Sequence, residues 1–297
     1  MAPDRPPQTP ASLSGPEPGR GRGHGRGHEP EHERGRGHEP ERGHEPERES
    51  GPGHEREQTD RDREKELAAR AAAELVEDGM ALGLGTGSTV AYLLSALAER
   101  ARELTRTHCV ATSPQTARIA REIGLNVREL DELTARAGGL DLAIDGADQI
   151  DEAGWLIKGG GGAHTREKIV AAAARRFVVI VSANKLVERI TGPVPLEVME
   201  FGAHTTLRAV GDARLRRPGE RGVGKAGRTD DAVQRSPDGN LLAWYEGPID
   251  DPRELAARLS ATPGVVAHGL FAPEMVSEAI VGDAGTVRRR AGGKPSA

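Results

Sequence analysis

From Asp145 to Lys168 the chain concentrates groups that can do chemistry: carboxylates at Asp145 and Asp148, an ammonium at Lys158, four consecutive glycines from Gly159 to Gly162, and a Glu167-Lys168 pair. Paired carboxylates and a cation are the side chains of acid–base and charge-stabilising chemistry. A glycine run is costly in backbone entropy, so it points to close approach of the main chain to a ligand. For Asp145-Gly-Ala-Asp148 the plain alternative is a turn after a strand, which accounts for one aspartate better than two. Glu167 taken alone also fits as an acid favoured in the first turn of a helix. His164 is expected in a loop, with no second histidine or cysteine nearby in sequence to make it a metal ligand.

These groups need elements to hold them, and the sequence supplies an alternating series. Leu67, Ala68, Ala71, Ala72 and Leu75 recur at helical spacing, so a helix is expected from Asp60 to Asp78-Gly79, with Lys65 near its start. Met80 to Leu84 reads as a buried strand running into Gly85, Thr86, Gly87, Ser88 and Thr89, and a second apolar-faced helix follows. Strand, glycine-hydroxyl loop and helix N-terminus together make a candidate phosphate site. Gly83, Gly85 and Gly87 do not have the dinucleotide spacing, and no Gly-Lys-Ser/Thr closes a Walker loop.

A strand at His108 to Thr112, a helix capped by Ser113 and Pro114 and ending at Gly124, a short strand from Val127, and a buried strand at Leu140 to Ile144 continue the alternation. The last of these delivers Asp145 at its carboxyl end. The fold class expected is α/β: a Rossmann-like, mostly parallel sheet with helices on both faces and ligands beyond the strand ends. After a hairpin through Trp155, a helix from Thr165 and a strand at Phe177 to Val181, Pro193 and Pro195 mark a boundary. Residues 193–267 then read as a smaller α+β domain, followed by a last strand at Met275 to Val281 that returns to the main sheet. The catalytic domain is expected at 61–192 and 268–287, and residues 288–297 as a frayed basic end.

Residues 1–60 differ in kind. Apart from proline, only Met1 and Leu13 there are apolar and larger than alanine, Gly-His-Glu-Pro-Glu recurs at Gly27, Gly37 and Gly43, and six of the ten histidines fall there. A segment of that composition is expected to be a disordered, solvated tail. The formal charge of -5 gives no basic field that would argue for nucleic acid. A single cysteine, Cys109, fits a reducing compartment, and neither a targeting presequence nor an apolar run of membrane length is evident, so a cytoplasmic protein without a membrane is expected.

With those motifs in hand, the chain resembles the type A ribose-5-phosphate isomerases from about residue 61 to 287. The matches are Gly85 to Thr89, Asp145 to Asp148, Lys158 to Gly161, Thr165 to Lys168, Ser182 to Lys185, Pro193 to Glu197, Pro263 to Val266 and Gly269 to Phe271. The resemblance implies interconversion of ribose 5-phosphate and ribulose 5-phosphate through an enediol(ate), without metal or other cofactor. It implies Glu167 as general base, Asp145 as an acid–base group for ring opening, Asp148 as a hydroxyl-orienting partner and Lys158 as the cation beside the oxyanion. Sugar and phosphate contacts carry over to Lys65, Thr86, Gly87, Ser88, Thr89, Gly146, Ala147, the backbone of Gly159, Gly160 and Gly161, and Lys185. It further implies a ferredoxin-like lid and a homodimer or homotetramer. Gln149, Gly162 and His164 depart from the family's usual residues, and the stretch from Gly211 to Pro237 looks longer and more polar than the usual lid. The alternatives are isomerisation of another sugar phosphate and a non-catalytic sugar-phosphate sensor.

Overall fold

The computed structural model describes residues 52–220 and 233–294. Most of the low-complexity segment and the centre of the polar lid stretch lie outside the described residues. Helix α1 (Pro52–Ala73) starts eight residues before the expected Asp60, so residues 52–60 are helix and not tail. Its early turns carry no apolar stripe that a periodicity search would register. They are linked instead by i,i+4 pairs between Arg61 and Glu57 and between Gln58 and Asp62. Ala68, Ala69 and Ala72 lie on its buried face.

The α/β layer then runs in order: β1 (Ala81–Leu84), α2 (Ser88–Glu99), β2 (His108–Ala111), α3 (Pro114–Glu122), β3 (Asn126–Val127), α4 (Leu130–Ala137) and β4 (Leu140–Gly146). Ser113 caps α3 through Thr116 N, and Pro114 is its first residue. Helix α4 was not expected from the sequence. With only Leu130 and Leu133 as large apolar residues it is too short to show a stripe, although Asp131 and Glu132 in its first turn and left-handed Gly138 at its C-cap are proper boundary signals.

A hairpin of β5 (Gln149–Ile150) and β6 (Leu156–Ile157) leads to α5 (His164–Ala173) and β7 (Ala174–Ser182). The lid elements follow as β8 (Val194–Val198), α6 (Ala203–Val210), β9 (Ala213–Leu215), β10 (Leu241–Tyr245), α7 (Pro252–Ala261) and β11 (Val265–His268). The chain closes through β12 (Leu270–Phe271), β13 (Glu278–Asp283) and β14 (Thr286–Ala291).

The main sheet has the order β14-β13-β7-β4-β1-β2-β3, with every pair parallel except β13 with β14. Leu82, Leu84, Leu142 and Ile144 pack with α1 and α2 on one face. Ala143, Val179 and Val181 pack with Val170 and Ala171 of α5 on the other, so the strands are buried on both sides. Chain order reverses between β1 and β4, which are adjacent in register at Leu84 and Ile144. Open sheets of this type bind ligands at that reversal.

The lid follows the order β-α-β-β-α-β, with its sheet arranged β11-β8-β10-β9 and all pairs antiparallel, which is the ferredoxin-like arrangement. Its core joins Leu196, Val198, Leu207 and Leu259 to Trp155 and Ile157 of the hairpin. Residues 288–291 are not frayed. They belong to β14, where Arg288 pairs with Asp283 and Arg289 with Glu278, and the exposed basic side chains protect the outer edge of the sheet. Among the described residues no helix is long and apolar enough to cross a membrane.

Candidate active site

The end of β4 places Asp145 beside the loop that leaves β1. Gly85 makes this possible, since a Cβ there would fall 2.0 Å from the Asp145 carboxylate. Oδ1 of Asp145 accepts from the backbone N–H groups of Thr86 (3.1 Å) and Gly146 (2.7 Å). Oδ2 accepts from Lys158 Nζ at 2.8 Å. That ammonium also donates to Gly146 O at 2.5 Å and lies 3.1 Å from Glu167 Oε2. Asp145, Lys158 and Glu167 are all at least 95 % buried, at 3 %, 2 % and 4 % exposure.

Two carboxylates and one ammonium in so dry a place shift one another. Burial, reinforced by the charge of Asp145 and opposed by Lys158, pushes Glu167 up to about 8. Burial also raises Asp145, against the attraction of Lys158 and its hydrogen bonds. Burial alone would lower Lys158, but the two carboxylates outweigh it and keep the ammonium charged.

Glu167 and Lys158 open onto a cleft of about 230 Å³. Gly146, Ala147, Asp148, Gly159, Gly160 and Gly161 form one side of it, and Asp148 Oδ2 accepts from Gly160 N at 2.9 Å. Gly159 adopts φ +96°, and a Cβ there would strike the His164 side chain. His164 is therefore not a loop residue as expected: it is the first residue of α5, fully enclosed, and burial lowers it to about 3, which leaves the ring neutral.

Thr86, Gly87, Ser88 and Thr89 also line the cleft, where the N-terminus of α2 presents backbone N–H groups with Gly87 at the cap. The loop is braced by Thr86 Oγ1 against Thr112 Oγ1 (2.8 Å) and by Thr116 Oγ1 donating to Gly85 O (3.0 Å). Lys65 of α1, paired with Asp62 at 2.8 Å, and Lys185 complete the polar rim. Every expected site residue therefore gathers at one cleft except Asp145, which stands behind Lys158. Gln58, Arg61, Ser182 and Asn184 also line it and were not among the expected contacts. Gln58 and Arg61 precede Lys65 by seven and four residues on one helix; Arg61 lies within the expected helix, whereas Gln58 joins the same face only once α1 is extended back past residue 60. Among the described residues no group of three histidine, cysteine, aspartate or glutamate side chains is placed to hold a metal ion.

An anion-binding helix terminus facing a buried carboxylate and ammonium, at the switch point of a Rossmann-like sheet, defines an acid–base enzyme for a small phosphorylated substrate. The comparisons with known proteins agree. Residues 108–286 match the family model of ribose 5-phosphate isomerase A (phosphoriboisomerase A). Over 209 residues the chain is 47 % identical to ribose-5-phosphate isomerase A of Roseiflexus castenholzii, covering 69 % of this chain and 85 % of that one. The structure of ribose 5-phosphate isomerase A from Methanocaldococcus jannaschii superposes with TM-score 0.68 and 34 % identity, covering 76 % of this chain and 97 % of that one. A further D-ribose-5-phosphate isomerase, solved in complex with phospho-erythronic acid, matches with TM-score 0.68 and 33 % identity, over 76 % of this chain and 97 % of that one. The chain belongs to the ribose 5-phosphate isomerase A family.

Proposed function

We propose that the chain interconverts ribose 5-phosphate and ribulose 5-phosphate, with Glu167 moving the proton between C2 and C1. The observation that carries this is the buried Glu167 carboxylate, 3.1 Å from Lys158 Nζ in a cleft that also holds the N-terminus of α2. In the open-chain aldose the carbonyl at C1 acidifies the C2–H bond. Glu167 takes that proton, the electron pair of the bond shifts into C1=C2, and the carbonyl pair moves onto O1 to give an enediolate. Return of the proton to C1, with transfer of the O2 proton to O1, gives the ketose. Burial makes Glu167 a stronger base than an exposed carboxylate, which suits removal of a weakly acidic C–H proton. Lys158 supplies fixed positive charge at the developing oxyanion.

Asp148, on the open side of the cleft, orients a sugar hydroxyl. Asp145 acts from behind: its oxygens are engaged by Lys158, Thr86 N and Gly146 N, so its part is to orient the ammonium and the two loops rather than to open the sugar ring. Thr86 to Thr89, Lys65 and Lys185 take the phosphate. A phosphorylated sugar acid bound by the relative at 33 % identity supports this substrate class. A homodimer or homotetramer and a cytoplasmic setting are proposed on the family resemblance alone. The direct test is Glu167→Gln, which keeps the shape and removes the base. Turnover of ribose 5-phosphate in a coupled assay is expected to fall about 10²- to 10⁴-fold, and near-parental turnover would overturn the assignment.

A further inference from the structure

Arg216, just past the end of β9, is only 1 % exposed. Its guanidinium lies 4.6 Å over the ring of Trp244, and Nε donates to Glu220 O at 2.8 Å. Nη2 leaves the lid altogether and donates to Gly160 O at 2.6 Å, inside the glycine run that lines the cleft. Burying a guanidinium is unfavourable unless its hydrogen bonds are met, and an apolar side chain over Trp244 would fill the same space without that penalty. The charge therefore has a use beyond packing.

That use follows from peptide geometry. The carbonyl of Gly160 and the N–H of Gly161 belong to one planar trans unit and point in opposite directions. Fixing the carbonyl on the lid turns the Gly161 N–H away from the lid. On the preceding unit, Gly160 N–H is fixed by Asp148 Oδ2 at 2.9 Å. The backbone at residue 160 is thus held from both sides, by Arg216 and by Asp148. Drawing density onto the carbonyl also strengthens the donor at the other end of the same unit.

We infer that Arg216 is a positioning residue for the isomerisation: from the lid it sets the 160–161 peptide, so that the Gly161 N–H and the Asp148 carboxylate meet the sugar oxygens in register. It touches no substrate atom. The inference rests on the assignment of the glycine run and Asp148 to the substrate, which the turnover of the parent chain and of Glu167→Gln decides separately.

The experiment is a double-mutant cycle on the full chain. Arg216→Met keeps the stem over Trp244 and removes the donors, and kcat is expected to fall about 10- to 100-fold while KM stays within about threefold, because the phosphate contacts are untouched. Asp148→Ala releases the same backbone from the other side, so the double variant is expected to lose much less than the product of the single losses. Arg253→Ala serves as the control: Arg253 lies exposed on α7 and pairs with Glu274, away from Arg216 and the glycine run, and its kcat is expected to match the parent. Arg216→Lys, which keeps the charge and one donor direction, is expected to recover part of kcat, and it takes the place of Arg216→Met in the cycle if the latter does not fold. Unchanged kcat in the Arg216 variants, or losses that simply multiply with Asp148→Ala, overturns the inference while leaving the isomerase assignment standing. The absence of turnover in the parent chain would overturn both.

Discussion

Glu167 and Asp145 share one ammonium with almost no surface of their own exposed, and that is the source of both reactivity and instability. Glu167 is raised from the usual 4.5 to about 8, so it binds a proton more tightly folded than unfolded. Its contribution to stability is therefore fully present below the unfolded value and is lost as pH rises through about 8. A glutamine mimics the protonated acid at every pH. The Glu167→Gln variant is expected to melt close to the parent at pH 5 and above it at pH 9, by roughly 2–4 °C for each ~1 kcal/mol relieved in a domain of this size. Thermal melts across that range check the sign, and a parent that outlasts the variant at pH 9 would contradict it. The same titration governs activity: the base must be ionised, so kcat/KM is expected to rise with pH through the neutral region. A kcat/KM profile that is flat or falling between pH 6 and 8 would contradict that assignment.

Helix α1 shows what an element adds to a site. Its extension to Pro52 brings Gln58 to the rim that Arg61 and Lys65 share, at the end of the cleft proposed for the phosphate. Arg61 is partly exposed and pairs with Glu57, so its contribution is modest. Arg61→Ala is expected to raise KM for ribose 5-phosphate about two- to fivefold and to leave kcat within twofold. An unchanged KM in steady-state kinetics would remove Arg61 from the site. This helix also marks where the sequence was legible and where it was not. Buried strands such as Leu140 to Ile144, and capped helices such as the one after Ser113, carry their own signals in apolar runs and N-cap residues. Surface turns held by polar pairs, such as Arg61 with Glu57, leave no hydrophobic period. The same holds for β14, whose Arg288 to Ala291 reads as a basic end until its ladder with β13 is seen. Residue identities pointed to the proposed catalytic groups, because glycine runs and clustered acids are rare. Which of them face the cleft depended on packing: nothing in the order Asp145, Lys158, Glu167 reveals that the first stands behind the second, or that Arg216, far along the chain, reaches Gly160.

At the scale of the whole molecule the lid and the sheet meet at two basic side chains, the buried Arg216 and the half-buried Lys168, whose desolvation lowers it to about 7. Arg216 holds the glycine run, and Lys168, next to the base, donates to His268 O (2.6 Å) and Leu270 O (2.9 Å) and lies 4.8 Å over the Phe271 ring. Helix α5 is thus tied to the junction of β11 and β12 one residue away from Glu167. On the proposed reading, the lid's ferredoxin-like sheet holds a short piece of main-sheet machinery rather than supplying reacting groups. The whole arrangement then makes one chemical claim, that a proton leaves C2 to a carboxylate and returns at C1. Proton NMR of ribose 5-phosphate incubated with the parent chain in D2O tests that claim most directly. The expected result is ribulose 5-phosphate with solvent deuterium entering at the exchanging carbons, since a carboxylate-bound proton trades with solvent. No ketose, or ketose that keeps its carbon-bound hydrogen in full even at equilibrium, as a hydride shift would leave it, contradicts the account.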